Sequence, residues 1–518
     1  MDKNKKSIII FLISTLFVLT AFFSILNKSR TIDELAHIVS GTYYLNTGSN
    51  YVFIEQPILQ SIFSIPTIIN KNLVVKFPPA HMNDNIYGEN LEQVVFYARL
   101  INIFAVLLLS IFVTKLITKI TKSYKMGLIF LVLMLFNPTT LAYSRFATPD
   151  VIGALTSFIA VLYLYIFLQT QTKKNAFILA TFCTIAFLTK YTAVVPLIYI
   201  SLTLLILFLL KRTKATFLHL LIFGTTILFI INLLFLFRGT LDPIKSFEFV
   251  TSSTKSLVHN TFLGNIPSSL PREVIRGLDY VKWHTQEGHY NKPIYFMGKY
   301  YDHGTKFYFP TLYLIKTPGL ILILFFISLL YTLKTFFKKQ LYEKHKYILH
   351  VAIFPLFFYF FFVVFLNTLN LGVRHILFAY LTSYLIIAYG VSNLSKQIFK
   401  YVIIILTLYL AIINIQIYPH YLEYFNEFIG GPSNGYKYVV KDNLDWRQDA
   451  NFIRDYKNNK NMDLQIDPQC GINFTSGQIV AVRANKLFSK ENGSLCYPNI
   501  NNGKLVDRVT NVWFIYEF

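Results

Sequence analysis

The run IIIFLISTLFVLTAFFSIL at residues 8–26 holds no charged residue over about the 20 positions that a helix needs to cross the hydrocarbon core of a bilayer. It follows Lys3, Lys5 and Lys6 in the manner of a signal peptide. No small-residue cleavage site of the A-x-A kind comes after it, so it reads as a retained anchor with a cytoplasmic N-terminus. Ten further apolar stretches lie near residues 96–116, 126–143, 150–168, 175–189, 192–210, 216–237, 308–333, 347–366, 373–392 and 400–418, which predicts about eleven transmembrane helices. The 518 residues are 54% hydrophobic and 14% charged, too little polar surface for a soluble protein of this size. The fold expected is an all-α polytopic membrane protein.

A formal charge of +22 could suggest nucleic acid, but Lys and Arg cluster in short runs between apolar segments, as orientation signals do. Nucleic acid is therefore excluded as a partner, and membrane lipids are included. With the N-terminus inside, Lys115, Lys119, Lys122, Lys125, Lys173, Lys174, Lys211, Lys334, Lys346, Lys396 and Lys400 all fall on the cytoplasmic side, while only Asp2 and Glu343 of the acids do. The chemistry thus faces outward. No carboxylate lies at mid-membrane, where an ion-coupled transporter would place one. The organisation expected is a membrane part at 1–418 with outward loops 27–95 and 238–307, followed by an exoplasmic tail at 419–518. In the tail, QIVAVRA and VTNVWFIYEF have strand character and the stretch from Trp446 to Tyr456 has helical character, which makes a small α/β domain. If exported, Cys470 and Cys496 can form a disulfide.

The first outward loop opens with TIDELAHIVSG at 31–41, where Thr31 and Glu34 have capping-box spacing and start a helix. The cap accounts for Glu34 but not for Asp33, which shares a helix face with His37. A second acid, Asp150, follows Thr148 and Pro149 at the start of another helix in NPTTLAYSRFATPD. Lys190, Lys316, Arg374 and His375 lie at outer helix ends, against the positive-inside trend, although snorkelling suffices for Lys316. An outward acid at a helix start beside several cations fits transfer of a group from an anionic lipid: the cations hold a phosphate, and Asp33 accepts the proton of an attacking hydroxyl.

Several blocks in order along the chain, DELAHIVSG, EQP, SRFATPD, FLTKYTA, KPIYFMGKYYDHG, YFPTLYLIKTP, LNLGVRHIL and YLEYFNEFIGGPSNGYKYVVKDNLDWRQD, resemble the GT-C class of membrane glycosyltransferases. The resemblance lies within the superfamily of dolichyl-phosphate-mannose protein mannosyltransferases and bacterial polyprenyl-phosphate-dependent relatives, including the lipid A aminoarabinose transferase. It implies Asp33 as catalytic acid of the first loop, Glu34 as its companion, Asp150 as a second functional acid, and Lys190 and Arg374 near the donor phosphate. Glu55 matches a loop acid that in some relatives belongs to a metal site, so a divalent metal is the one cofactor suggested. Here Gln56 and Ile58 stand where relatives carry His and Pro, and Arg447 stands where they carry Gly.

The function expected is an inverting glycosyltransferase that moves a sugar from a polyprenyl-phosphate carrier to a hydroxyl of a protein, lipid or glycan at the exoplasmic face. Asn, Lys, Ile and Phe richness suggests a bacterial inner membrane, with the site in the periplasm. The alternatives are a lipid-linked saccharide flippase or transporter and a glycan polymerase.

Overall fold

The computed structural model describes residues 3–48, 57–70, 90–211, 216–284, 293–302, 304–336, 346–367, 369–491 and 493–518. Seven helices among them are long and apolar enough to cross a membrane, and two bent pairs raise the number to nine. The remaining two apolar segments form Lys173–Thr189 and a helical run from Leu349 to Phe365, each 17 residues long. At 1.5 Å per residue either reaches only about 25 Å, the short end of what spans a bilayer.

Both bends are set by proline. Asn137 and Thr317 precede Pro138 and Pro318 and take extended backbone, because the pyrrolidine ring disfavours the helical conformation at the residue before it. Helices Tyr124–Phe136 and Pro138–Ser144 meet at 67°, with Asn137 capping the second through a hydrogen bond from Thr139 N to its Oδ1 at 2.9 Å. Tyr308–Lys316 meets Gly319–Thr335 at 115°. The stretch expected as one span at 308–333 is thus broken at Pro318 rather than a straight helix.

The least apolar of the seven long helices is the most buried. Val373–Ser392 is 89% enclosed by protein, whereas Phe217–Leu234 is only 17% enclosed. Tyr380, Ser383 and Tyr384 are tolerated in the first because protein surrounds them; Phe229 and Leu233 of the second lie on the outer surface, where lipid is their solvent. Around the central helix, Phe130 stacks on Phe158 at 5.5 Å, and Phe158 meets Phe378 edge-on at 6.4 Å. Basic helix ends gather on one side. Lys6 lies over Tyr124, and Lys125 lies over Phe399 near Lys396 and Lys400. Helix Asp150–Gln169 runs from the opposite end, where the acids are, towards Lys173.

From Tyr421 the chain crosses that acidic end in short 3-10 turns, then builds a four-stranded sheet from β1 (Leu464–Ile466), β2 (Ile479–Arg483), β3 (Lys504–Val509) and β4 (Trp513–Glu517). The strand order is β1-β2-β4-β3, with β1 parallel to β2 and the other pairs antiparallel. VTNVWFIYEF, expected as one strand, instead holds the end of β3, a turn and β4. The helix expected from Trp446 starts later, at Ala450–Lys460. Cys470 and Cys496 form the disulfide that the sequence allows, beside Phe474, Val480 and Tyr497. Without reductant, native protein is expected to show no thiol reactive to Ellman's reagent, because the third cysteine, Cys183, is buried; a reactive thiol on the tail would contradict the bond.

Candidate functional site

Helix Ile32–Thr47 begins as its sequence requires. Thr31 Oγ1 accepts from Glu34 N at 3.3 Å, and Glu34 Oε2 accepts from Thr31 N at 2.8 Å, a complete capping box. Glu34 does more than cap. Arg99 Nε donates to Glu34 Oε1 at 2.7 Å, Arg99 Nη2 donates to Oε2 at 2.8 Å, and Ala147 N donates to Oε1 at 2.9 Å. The same guanidinium reaches the carbonyls of Lys28 and Ser29 at 3.0 and 2.7 Å. This buried knot joins the segment from Lys28 to Glu34, helix Leu91–Thr121 and the turn before Asp150. Burial pushes the Glu34 carboxyl up, but Arg99 and the donors from Thr31 and Ala147 outweigh it and hold the carboxyl below its ordinary value.

With Glu34 fixed inward, its neighbour Asp33 is turned to a different partner: Arg374 Nη1 donates to Asp33 Oδ2 at 2.6 Å. The same nitrogen lies 3.8 Å from Asp150 Oδ2, and Arg374 Nη2 lies 2.7 Å from Asp442 Oδ2. Lys190 pairs directly with Asp150 Oδ1. The approach is close because residue 153, facing Lys190 across the helix, is glycine: a Cβ on Gly153 would stand 2.9 Å from the Lys190 Cβ. Asp150 itself is the first residue of its helix, with Pro149 in the cap position, so the cap expected at Thr148 is one residue displaced. Trp446 lies against the guanidinium of Arg374 at 4.6 Å and packs edge-on to Tyr143 and Phe146.

Three carboxylates and two cations therefore meet where Ile32–Thr47, the start of Asp150–Gln169, the end of Lys173–Thr189, the turn Val373–Ile376 and the tail come together. A cavity of about 20 Å³ opens among Asp150, Lys190, Arg374, His375 and Tyr359. His375 Nε2 and Asp150 Oδ2 face inward without a hydrogen-bond partner among the described residues. The side chain of Asp33 is 23% exposed against 16% for Asp442 and 1% for Asp150, so Asp33 is the most open of the three acids to an incoming group.

Of the residues expected at the site, Asp33, Asp150, Lys190, Arg374 and His375 come together. Two others go elsewhere. Glu34 is committed to Arg99 and backbone donors. Lys316, expected at the donor phosphate, instead donates to the carbonyls of Leu422 and Asn443 at 2.8 Å each, fastening the tail rather than lining the cavity. Glu55 lies outside the described residues. Asp442 and Trp446 join from the tail, and the only trace of them in sequence is the polar block KDNLDWRQD after a glycine-rich turn.

One model of a protein family fits part of this arrangement. The dolichyl-phosphate-mannose-protein mannosyltransferase family matches residues 86–235. That stretch, less than half of the chain, carries Arg99, Asp150 and Lys190 and agrees with the resemblance read from the sequence blocks. No curated protein matches the chain in sequence. Two solved structures of ArnT from Cupriavidus metallidurans, one bound to undecaprenyl phosphate and one in the apo state, are similar at 13% identity and a TM-score of 0.48. The matches cover 77% and 76% of this chain but 62% and 61% of those chains, so the chain spans about three fifths of their length.

The described residues contain one group with the ligand types of a metal site, His420, Glu423 and Asp449. The Lys28 ammonium already sits among them, paired with Asp449, 2.7 Å from His420 Nδ1 and 3.7 Å from Glu423 Oε1. Glu423 Oε2 is occupied as well, accepting from Asn511 N at 2.8 Å. These residues do not fit a metal, because the protein supplies its own cation there.

Proposed function

We propose that the chain is an inverting glycosyltransferase that moves one sugar from a polyprenyl-phosphate carrier to an acceptor hydroxyl at the exoplasmic face of a bacterial inner membrane. The observation that carries this reading is the Arg374 node, in which a cation beside Lys190 and His375 also holds the most exposed of the three carboxylates, Asp33, at a helix N-terminus. The family match over residues 86–235 supports a lipid-phosphate sugar as donor. The Cys470–Cys496 bond supports an exported tail, since such bonds persist in oxidising compartments.

The chemistry needs few groups. The acceptor oxygen forms a bond to the anomeric carbon from the face opposite the carrier, the carbon–phosphate-oxygen bond breaks, and its electron pair stays on the phosphate. Arg374 and Lys190 stabilise that gathering charge. Phosphate is a good leaving group and needs no acid. Asp33 takes the acceptor's proton as the new bond forms. Glu34 is a positioning residue, fixing the helix turn that presents Asp33.

Incubation of purified protein with labelled polyprenyl-phosphate sugars tests the reading: free lipid phosphate and a singly extended acceptor are expected. Release of no lipid phosphate points to a flippase, and consumption of diphosphate-linked oligosaccharides points to a polymerase. Arg374→Ala is expected to raise KM for the donor by about 10–100-fold, the loss of one charged hydrogen-bonding pair. An unchanged donor KM would remove Arg374 from the phosphate.

A further inference from the structure

Within ion-pair reach of one another, the site holds three carboxylates, Asp33, Asp150 and Asp442, and two cations, Lys190 and Arg374. A lipid-phosphate donor brings more negative charge. In a largely enclosed site that excess is costly unless one carboxylate is neutralised or withdrawn. The three acids differ in how firmly they are held. Asp150 is almost wholly buried and paired to Lys190. Asp33 has to stay ionised and near the acceptor. Asp442 comes from the tail, on the turn Lys441–Asn443.

The backbone of Asp442 is held apart from its carboxylate. Tyr143 OH donates to the Asp442 carbonyl at 2.8 Å, and Val373 N donates to Asn443 Oδ1 at 2.8 Å. Residue 372 is glycine where the segment passes: a Cβ there would stand 2.8 Å from the Asp442 Cβ. The segment is thus seated without the help of its side chain, and the Asp442 carboxylate can leave Arg374 without unseating the turn. Burial pushes its carboxyl up, Arg374 pulls it down and Asp33 pushes it up again, leaving it above its ordinary value. Trp446, stacked on Arg374, keeps the guanidinium plane in place while its partner changes.

We propose that Asp442 is a positioning residue that holds Arg374 in the empty site and yields it to the donor phosphate, so that a tail carboxylate and the donor compete for one guanidinium. The idea rests on the donor reading above and adds to it that the tail sets donor affinity.

The test uses the full-length chain in detergent, with farnesyl phosphate as a short polyprenyl-phosphate probe. Asp442→Asn and Asp442→Ser each remove the competing charge and are expected to bind the probe about tenfold more tightly than wild type, a change of about 1.4 kcal/mol. Asp442→Glu keeps the charge and is expected to bind as wild type does. In turnover, both neutral variants are expected to lower KM for the labelled donor more than they alter kcat, a split that a strut holding the tail would not produce. Neutral variants that bind no better than wild type, with unchanged unfolding temperatures, overturn the competition. Loss of cooperative unfolding in both overturns it too, because the turn then depends on the carboxylate. Wild-type protein that binds no farnesyl phosphate sinks the donor reading itself, a separate outcome.

Discussion

Asp33→Asn is expected to lower sugar transfer by about 10²–10⁴-fold, the usual contribution of a positioned general base, while polyprenyl-phosphate binding survives. The amide keeps the shape of the carboxylate, and its oxygen can still accept from Arg374 Nη1, now 2.6 Å from Oδ2. It cannot take a proton. The helix start does not depend on Asp33, because Thr31 and Glu34 make the cap between them, so the lost attraction to the helix N-terminus costs only about 0.3–1 kcal/mol. Expression and unfolding temperature should therefore stay near wild type. The measurement is product formed from labelled donor by purified protein, paired with donor binding on the same preparation. Turnover within about tenfold of wild type would remove Asp33 as the base, since a positioned general base typically contributes about 10²–10⁴-fold.

The long helices were legible because bilayer-length apolar runs leave few alternatives, and the cap at Thr31 because a T-x-x-E spacing names its own partners. The angle of a break was not legible. Pro318 marks where a helix ends, but the 115° turn depends on what the next helix packs against. Charges in or beside apolar helices were the hardest to place. Arg99 lies in ARLINIF with Asn102 three residues on, so the two share a buried helix face, but nothing in that spacing names Glu34 as the partner and only the folded chain brings it there. Lys316 carries the same local signal as Arg374, a cation at an outer helix end, yet one fastens carbonyls of the tail and the other gathers acids. Asp442 reaches Arg374 after two intervening helices, Leu377–Ser392 and Lys396–Ile417, a closure that no local pattern encodes, with Gly372 as a permissive sign.

The knot beneath the site carries the largest stability effect. Glu34→Gln is expected to destabilise the protein by about 3–5 kcal/mol, because it leaves the Arg99 guanidinium buried without its counter-charge. That is a large part of the 5–15 kcal/mol by which a domain is typically stable, and an unfolding temperature lower by about 5–10 °C in detergent is the expected result. Removing both charges, as Glu34→Gln with Arg99→Met, should recover much of the loss, since a paired ion buried at a desolvation cost differs little from an apolar substitute. The pH dependence separates charge from shape. The folded Glu34 carboxyl lies below its ordinary value of 4.5, so its contribution is complete above that value and is lost as the pH falls through the lower folded one. Wild type should lose stability on that acid limb more steeply than the double variant. Activity should fall with stability in Glu34→Gln, because Asp33 is presented by the turn that the knot holds. If Glu34→Gln instead unfolds at the wild-type temperature and still loses turnover, Glu34 is a reacting group and Asp33 has lost its claim to be the only one.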